Sequence, residues 1–321
     1  MSQLEFVCLE DLVCAEHSYR RFMKAFDFED IRPIIKEIER DDCYKGYGAF
    51  PLFLCCLLQY LEDLSDREGE RFLRENVAAR WFCGFTLTQS TLDHSALCRF
   101  RKRLGTERLS KIFSRLREQL KAQGLMNEVF TFVDASSLIS KANLWEERDK
   151  ARQAHYETLN NEVLPKVAHD KQARIGSKGK NKFWYGYKKH LSMDMQSGLI
   201  NKVAVTPGNV TDAQGFKHVC PQQGAVYADK GYCVAPARIE ANRRGVHLAA
   251  IKKNNMKEKN KDKDRWYSHI RAPYERAFSQ QNNRVRYVGV AKNQFAEFMH
   301  AICFNLKRVM VLKPPTAQVS P

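Results

Sequence analysis

The sequence predicts an α/β fold in which an all-α N-terminal region precedes a mixed sheet flanked by helices. Three observations lead to this prediction. Residues 50–123 read as successive helices with apolar residues at helical spacing. After Gly124 the pattern changes to short segments rich in β-branched and aromatic residues. Two of these segments are divided by Ser197–Gly198, as in an antiparallel hairpin, and two others are separated by a helical stretch, as in a parallel pair.

Four helical segments make up the N-terminal region. Ser65 with Glu68, and Thr106, are predicted N-terminal caps, and Gly124 is a predicted C-terminal stop. The most apolar run, Phe50–Leu61, is too short for a bilayer, which needs roughly 20 apolar residues, so we expect a core helix. The segments are residues 51–64, 65–82, 90–104 and 106–124.

The sheet begins with VFTFVD, a β-rich segment that ends on Asp134. A polar, charge-dense stretch from residue 140 to 182 follows, and we interpret it as an insertion that interrupts the sheet. YGYKKHLSMDMQ and LINKVAVTP form the predicted hairpin, and GAVYAD and VHLAAIK are further strands on either side of a helix from Ala235 to Arg244. Two helices are predicted around RAPYERAFSQQ and QFAEFMHAICFNLKRVMVL.

These segments divide the chain into three predicted parts. They are a helical DNA-binding or accessory region over residues 1–125, a catalytic domain over 126–313 with its insertion around 140–182, and a loose tail over 314–321.

The charge of the chain points to a polyanionic partner. The 53 Lys and Arg residues exceed the 37 Asp and Glu residues, for a formal net charge of +16. Because the basic residues are spread along the chain instead of forming one polybasic anchor, nucleic acid is favoured over a membrane. The ten cysteines include no C-x-x-C pair, which argues against structural zinc. No leader sequence is evident, so we expect reduced thiols and a cytoplasmic location.

Three acidic residues are candidates for a metal site. Asp134 and Asp229 each follow an apolar strand segment, and neighbouring strands would place them side by side at one rim of the sheet. Glu275 lies on a predicted helix, and Arg271 precedes it by four residues, on the same helical face, where it can hold a phosphate. Carboxylates suit Mg²⁺, and two such ions can catalyse phosphodiester transfer. Taken singly, these acids also fit turn, cap or surface-pair positions.

Two basic segments are candidates for DNA contact. The helix that contains Arg99, Arg101, Lys102 and Arg103 can lie on phosphates or enter a major groove, or it can be a solvated helix face. The WYGYKKH segment interleaves aromatic and basic residues, which suits base stacking or ordinary sheet packing. Its candidate DNA-contacting residues are Tyr187, Lys188 and Lys189.

Several motifs together resemble the DDE transposases of bacterial insertion sequences, in the branch spanning the IS-four and IS-five groups. The resemblance covers most of the chain. It rests on LQYLEDLSDREGERFLRENVAARWFCGF and DHSALCRFRKRL in the helical region, and on VDASSL, YGYKKHLSMD, VTPGNVTDAQ, ADKGY, RAPYERAF, and VRYVGVAKNQF followed by NLKR. It implies a ribonuclease H-like catalytic domain and makes Asp134, Asp229 and Glu275 the catalytic and metal-binding trio.

The resemblance also implies cofactors and partners. The expected cofactor is a pair of Mg²⁺ ions, with Mn²⁺ as a substitute. The expected partners are double-stranded DNA, as the terminal inverted repeats of the element and as target DNA, and a second copy of the chain in a homodimer or larger synaptic complex. Asn209 and Asp212 fall in a family motif and are expected beside the metal ligands, or else in a turn and helix cap.

The chain departs from the family signature around the glutamate. That signature places Tyr, Arg, Glu and Lys at fixed spacing, whereas the corresponding residues here are Ser268, Arg271, Glu275 and Asn282. Arg284 is a candidate to replace the missing lysine in a DNA contact. The leading hypothesis is therefore a transposase that cuts and rejoins DNA. The alternatives are a nuclease on the same scaffold and a DNA-binding derivative that has lost catalysis.

Overall fold

The computed structural model describes residues 7–40, 46–140, 144–179, 181–253, 256, 259–279, 285 and 287–313. Asn282, Arg284 and the predicted tail from residue 314 lie outside the described residues. The chain forms two compact units, one of Met1–Gln123 with Phe298–Pro321 and one of Gly124–Glu297. We call them the helical unit and the sheet unit. This division differs from the predicted one because residues from 298 onward group with the N-terminal helices.

The elements follow one another along the chain as follows. The α-helices are α1 (Leu9–Leu12), α2 (Ser18–Ala25), α3 (Arg32–Lys36), α4 (Ala49–Leu61), α5 (Asp66–Glu75), α6 (Val77–Cys83), α7 (His94–Ala122), α8 (Leu144–Gln153), α9 (Leu164–Val167), α10 (Asp212–Val219), α11 (Ala235–Arg243), α12 (Lys261–Ser279) and α13 (Val290–Leu312). The strands are β1 (Phe130–Ile139), β2 (Arg174–Lys178), β3 (Lys182–Asp194), β4 (Ile200–Pro207), β5 (Ala225–Ala228) and β6 (His247–Ala250). Short 3₁₀ helices cover Glu37–Arg40 and Lys230–Tyr232.

The helical unit is built around α4, as its apolar sequence predicts. Every residue of α4 except Pro51 is buried. The predicted capping box at the start of α5 is present, because the Ser65 hydroxyl accepts from the Glu68 amide and the Glu68 carboxylate accepts from the Ser65 amide. The two predicted helices after residue 90 form α7, which changes direction at Gly105, where φ is 69°.

Helix α13 completes the core of this unit. Within it, the ring of Phe298 packs 5.5 Å from that of Phe113 in α7. The Lys307 ammonium donates to the Leu61 carbonyl at 2.8 Å, so it caps the end of α4. Met299, Ile302 and Leu306 are almost fully buried. No helix within the described ranges is both long and apolar enough to span a bilayer.

The sheet unit contains the predicted mixed sheet. Its strand order is β2-β3-β1-β5-β6, and β4 also pairs with β3. Strand β3 is antiparallel to β1, β2 and β4, whereas β1, β5 and β6 are parallel. The predicted hairpin is formed by β3 and β4, and the helix-linked strands are β5 and β6. The predicted α/β class with a mixed sheet and a helical N-terminal region is therefore confirmed.

Two element boundaries in the structure differ from those that the sequence predicts. The first strand does not end at Asp134 but continues to Ile139, because residues 134–139 pair with β3 as far as Gly186. This pairing supplies backbone hydrogen bonds that outweigh the polarity of Ser136 and Ser137. The predicted insertion is also only partly separate from the sheet, since it contains β2 as well as α8 and α9.

Helices cover both faces of the sheet. Alternation along a strand points Phe132 and Val133 of β1 to opposite faces. Val133 joins an apolar cluster that includes Phe216 of α10. Phe132 stacks on Tyr274 of α12, with ring centroids 5.7 Å apart, and we call this side of the sheet the α12 face.

Candidate active site

Asp134 and Asp229 come from neighbouring parallel strands. The pairing of β1 with β5 sets Phe132 beside Tyr227. Each aspartate stands two positions after one of these aromatic residues, so both belong to the α12 face and to the same level of the sheet. The structure therefore brings these two predicted residues together, although Asp134 lies within its strand and not at its end.

The surroundings of Asp134 disfavour the ionised form of its carboxyl group. Burial raises the pKa of its carboxyl to about 6, and the nearby Asp229 carboxylate contributes to the increase. A hydrogen bond from the Ala135 amide and the positive charges of Arg271 and Lys178 act in the opposite direction. A divalent cation between the two aspartates would offset both the burial and the repulsion, so these carboxylates fit a metal of the magnesium type.

The backbone fixes the orientation of Asp229. Its Oδ1 accepts a hydrogen bond of 2.8 Å from the Gly231 amide and so caps the short 3₁₀ helix that follows β5. A Cβ at position 231 would lie 2.9 Å from this oxygen and 3.3 Å from Asp212 Oδ2. Asp212 therefore lies close to Asp229, and a side chain at position 231 would displace the Asp229 carboxylate.

Helix α12 crosses the strand that contains Asp134. The guanidinium of Arg271 is buried and lies 5.5 Å from the centroid of the Phe132 ring. Glu275 follows Arg271 by one helical turn in α12, but its side chain lies outside the described residues. Ser268, at the position of the signature tyrosine, is exposed, and its hydroxyl donates to the Asp264 carbonyl. Among described side chains, no three His, Cys, Asp or Glu residues form a metal-binding group.

The two residues expected beside the metal ligands occupy different settings. Asn209 is exposed in the turn after β4. Asp212 begins α10, but the cap of this helix is Thr211, whose hydroxyl accepts from the Gln214 amide. The Asp212 carboxylate instead pairs with the Lys188 ammonium at 2.8 Å.

The three hairpin residues expected to contact DNA are buried within the sheet unit. The Tyr187 hydroxyl donates to Asp170 Oδ1 at 2.6 Å. Lys188 pairs with Asp212, and Lys189 lies 3.3 Å from the Glu297 carboxylate. In this structure they form part of the sheet packing, the second of the two alternatives that the sequence left open.

The basic helix residues divide into two groups. Arg101 forms an ion pair of 2.6 Å with Asp66 and also donates to Gln59, so it connects α7 with α5 and α4. Arg99 and Lys102 are exposed, and Arg103 is half-buried. The exposed charges remain available to a polyanion, whereas Arg101 serves the packing of the helical unit.

Sequence reasoning missed Tyr232, which ends the ADKGY segment. Its hydroxyl is fully buried and has no hydrogen-bond partner among the described residues. Burial raises its pKa well above the usual range, and the charges of Asp134, Asp212 and Asp229 add to this effect. The charges of the three carboxylates therefore act on this hydroxyl, and its ring packs on Phe216 of α10 with centroids 5.9 Å apart. The signal in the sequence was its position three residues after Asp229.

Comparison with known protein families gives a transposase domain in each of two regions of the chain. A family described as "Transposase domain (DUF772)" matches residues 7–103, and one described as "Transposase DDE domain" matches residues 149–306. The second match includes Asp229 and Glu275 and begins after Asp134, so the assignment of Asp134 depends on its position in the sheet.

One solved structure, a "Mos1 transposase paired-end complex with left transposon end", aligns at 7% identity over 85% of this chain and 82% of that chain, with a TM-score of 0.18. A superposition this poor carries no argument about the chain. The two family matches lie on either side of β1 and together span most of the sequence. By these matches, the chain belongs to the DDE transposases of insertion-sequence type.

Proposed function

We propose that this transposase cleaves DNA strands at the ends of its insertion sequence and joins the freed 3′-hydroxyl to target DNA. Asp134, Asp229 and Glu275 hold two Mg²⁺ ions, for which Mn²⁺ substitutes. The observation that supports this best is the placement of Asp134 and Asp229 side by side on parallel strands, where their charges repel, in a chain of this family.

The protein's part in the reaction is to hold and orient. A pair of divalent ions, when bound, activates the attacking oxygen and stabilises the leaving oxygen of an in-line displacement. Asp229 is already oriented by the Gly231 amide, and Asp134 is fixed within a paired strand. Arg271 lies over Phe132 on the same face, where its charge can hold a phosphate oxygen near the metals.

The partners follow from the same chemistry. The excess of basic residues provides attraction to double-stranded DNA, both terminal repeats and target. In the helical unit, the exposed Arg99 and Lys102 are our candidates for phosphate contact. Joining two element ends requires two active sites, so we propose that the protein works as a homodimer or a larger synaptic complex, in the bacterial cytoplasm.

The test uses Asp134→Asn, Asp229→Asn and Glu275→Gln, with Asp262→Asn as the control. Asp262 is an exposed residue in the first turn of the same helix as Glu275. Each protein is incubated with Mg²⁺ and a duplex that ends in the repeats flanking its gene. We expect the three variants to lose cleavage by at least about a hundredfold while they still bind the duplex, because each change removes a charged metal ligand. The control should cleave like the parent.

Two outcomes would change the proposal. Cleavage at the parental rate in any one of the three variants removes that residue from the trio. Nicked products without joined products, in the presence of a target duplex, would make the protein a nuclease on this scaffold.

A further inference from the structure

The hairpin of β2 and β3 ends in exposed side chains that the active site described above does not use. Lys178 and Lys182 face each other as a cross-strand pair, and Phe183 pairs with Ser177. Both lysines are exposed, and Phe183 has 67% of its surface exposed. We call Lys178, Lys182 and Phe183 the hairpin tip.

This arrangement costs stability. Like charges directly opposite each other on neighbouring strands repel, and neither lysine forms an ion pair with any acidic residue in the described ranges. An exposed phenylalanine beside them gains little from burial. Packing within the sheet unit therefore does not explain the composition of the tip, whereas a polyanion with stacking surfaces does.

The base of the hairpin is held firmly. Trp184 packs so closely on Gly176 that a Cβ there would clash with the indole and with the Gly208 carbonyl. The indole N–H also donates to the Tyr187 carbonyl at 3.0 Å. Because neighbouring residues of a strand point to opposite faces, anchoring Trp184 on one face directs Phe183 to the other.

Part of the hairpin tip lies on the same face of the sheet as the active site. Asp134 pairs with Leu191 of β3, and strand alternation from Leu191 back through Tyr187 puts Phe183 on the same face of the sheet as Asp134.

We propose that the hairpin tip binds the DNA strand being cut, with Lys178 and Lys182 on phosphates of that strand and Phe183 stacked on one of its bases. This inference rests on the proposed function. Lysine ammonium groups neutralise phosphates without reading sequence, and an aromatic ring stacks on any unpaired base. The tip thereby anchors the strand on the face of the sheet that carries the two aspartates.

The first experiment measures DNA binding without catalysis. The double variant Lys178→Gln, Lys182→Gln is compared with Lys171→Gln, an exposed lysine before β2. Affinity for a duplex with the element end is measured at several salt concentrations in the absence of divalent metal. Loss of two phosphate contacts should reduce the slope of log affinity against log salt by about 2, and the control should keep the parental slope.

The second experiment tests the aromatic contact. Phe183→Ala is compared with Phe130→Ala, an exposed phenylalanine, 51% accessible, at the start of β1. A set of duplexes carries 2-aminopurine at successive positions of the strand being cut. We expect Phe183→Ala to bind roughly tenfold more weakly and to lose the fluorescence change of the parent, while Phe130→Ala retains both. Both variants should unfold at the parental temperature, because their side chains are exposed.

The outcomes distinguish a failure of the proposed tip contact from a failure of the proposed function. An unchanged salt slope in the double variant, together with parental fluorescence in Phe183→Ala, would overturn the contact made by the tip. A change in oligomeric state without DNA would instead make the tip a contact between copies of the chain. If the parent binds no element-end duplex at all, the proposed function itself falls, and the inference falls with it.

Discussion

At the scale of single residues, the active site collects groups that the fold alone would not favour. Asp134 is buried beside a second carboxylate, and the Tyr232 hydroxyl is buried without a hydrogen-bond partner among the described residues. Buried groups in such states destabilise a fold unless a bound ligand satisfies them. Their convergence at one end of two parallel strands is what a ligand-binding site requires.

The Tyr232 hydroxyl gives a prediction with an unusual sign. Tyr232→Phe removes a buried polar group that makes no hydrogen bond to the described residues, so we expect the free energy of unfolding without metal to stay level or rise by about 1 kcal/mol. Urea denaturation in the presence of a chelator measures it. Tyr187→Phe is the matched control, because the Tyr187 hydroxyl donates to Asp170, and its loss should destabilise the protein by about 1–3 kcal/mol. A loss of similar size in both variants would contradict the description of Tyr232.

His190 predicts how stability depends on pH. Burial lowers the pKa of its imidazole to about 4, with Lys188 contributing, whereas Asp212 acts in the opposite direction. In the unfolded chain a histidine titrates near pH 6.5. The native state therefore binds fewer protons in this window, so the stability linked to neutral His190 is complete above about pH 6.5 and is lost as pH falls toward 4.

The measurement compares the parent with His190→Gln by urea denaturation between pH 7 and pH 4. The parent should lose about 3 kcal/mol more than the variant across this range, because only the parent carries the imidazole. Thr206 keeps a polar neighbour in the variant, since its hydroxyl lies 2.9 Å from His190 Nε2 in the parent. Parallel pH profiles for the two proteins would show that His190 is accessible to protons in the native state.

The sequence predicted part of this site. The adjacency of Asp134 and Asp229 followed from two β-rich segments that each lead to an aspartate, and the pairing of β1 with β5 confirms it. The burial of Lys188 and Lys189 was not predictable, because it depends on partners, Asp212 and Glu297, that are distant in sequence. Local pattern reports which residues share a face of a strand but not what covers that face.

At the scale of elements, helix α10 must approach the sheet very closely. Gly215 of α10 lies directly on the His190 ring, so that a Cβ there would clash with three ring atoms. Asp212, at the start of the same helix, pairs with Lys188 of β3. The packing of α10 against the sheet therefore determines the position of the Asp212 carboxylate, which lies close to Asp229.

Two glycine substitutions test this contact. Gly215→Ala should destabilise the protein by about 1–3 kcal/mol, because the added methyl forces α10 away from β3. Gly69→Ala in α5 should instead stabilise it by about 0.5–1 kcal/mol, because its nearest neighbour would be Leu97 at an ordinary 3.9 Å and alanine favours a helix. Thermal denaturation measures both. Equal changes in stability for the two substitutions would contradict the close packing of α10 against β3.

Element boundaries show why some predictions failed. The strand segment VFTFVD was recognised, but β1 runs five residues further, through the polar Ser136 and Ser137. Their pairing with Lys189 and Lys188 holds them in the sheet, and no local sequence pattern predicts this pairing. The same holds for β2, which lies within a stretch whose polarity predicted an insertion and which becomes a strand by pairing with β3.

At the scale of the whole molecule, the helical unit draws its core from both ends of the chain. Residues of α13 from 298 onward belong to the helical unit, so the sheet unit is inserted between the two pieces of the helical unit. The Cys303 thiol is buried next to the Leu57 carbonyl of α4, at 3.7 Å, and Arg21 of α2 donates to the Met310 carbonyl at 3.0 Å. Dividing the sequence where its composition changes does not predict that residues from 298 onward pack with the N-terminal helices.

A substitution in α13 should therefore weaken helices more than 180 positions away. Leu306 is fully buried, and Leu306→Ala should destabilise the helical unit by about 2–5 kcal/mol. Amide hydrogen exchange should show faster exchange in α4 and α7. Val311→Ala, at a side chain 67% exposed on the same helix, should leave exchange unchanged. Faster exchange confined to α13 itself would show that α4 and α7 are stable without it.

The return of α13 also sets an order of events during synthesis. Residues 7–123 leave the ribosome first, yet the side chains that complete their core arrive only with residues 298–312. The sheet unit is contiguous in sequence, so it can fold while the earlier helices still lack their last partner. A growing chain can thus bring its paired aspartates together before its N-terminal helices are fully packed, and a chain interrupted before residue 298 lacks the side chains that complete them.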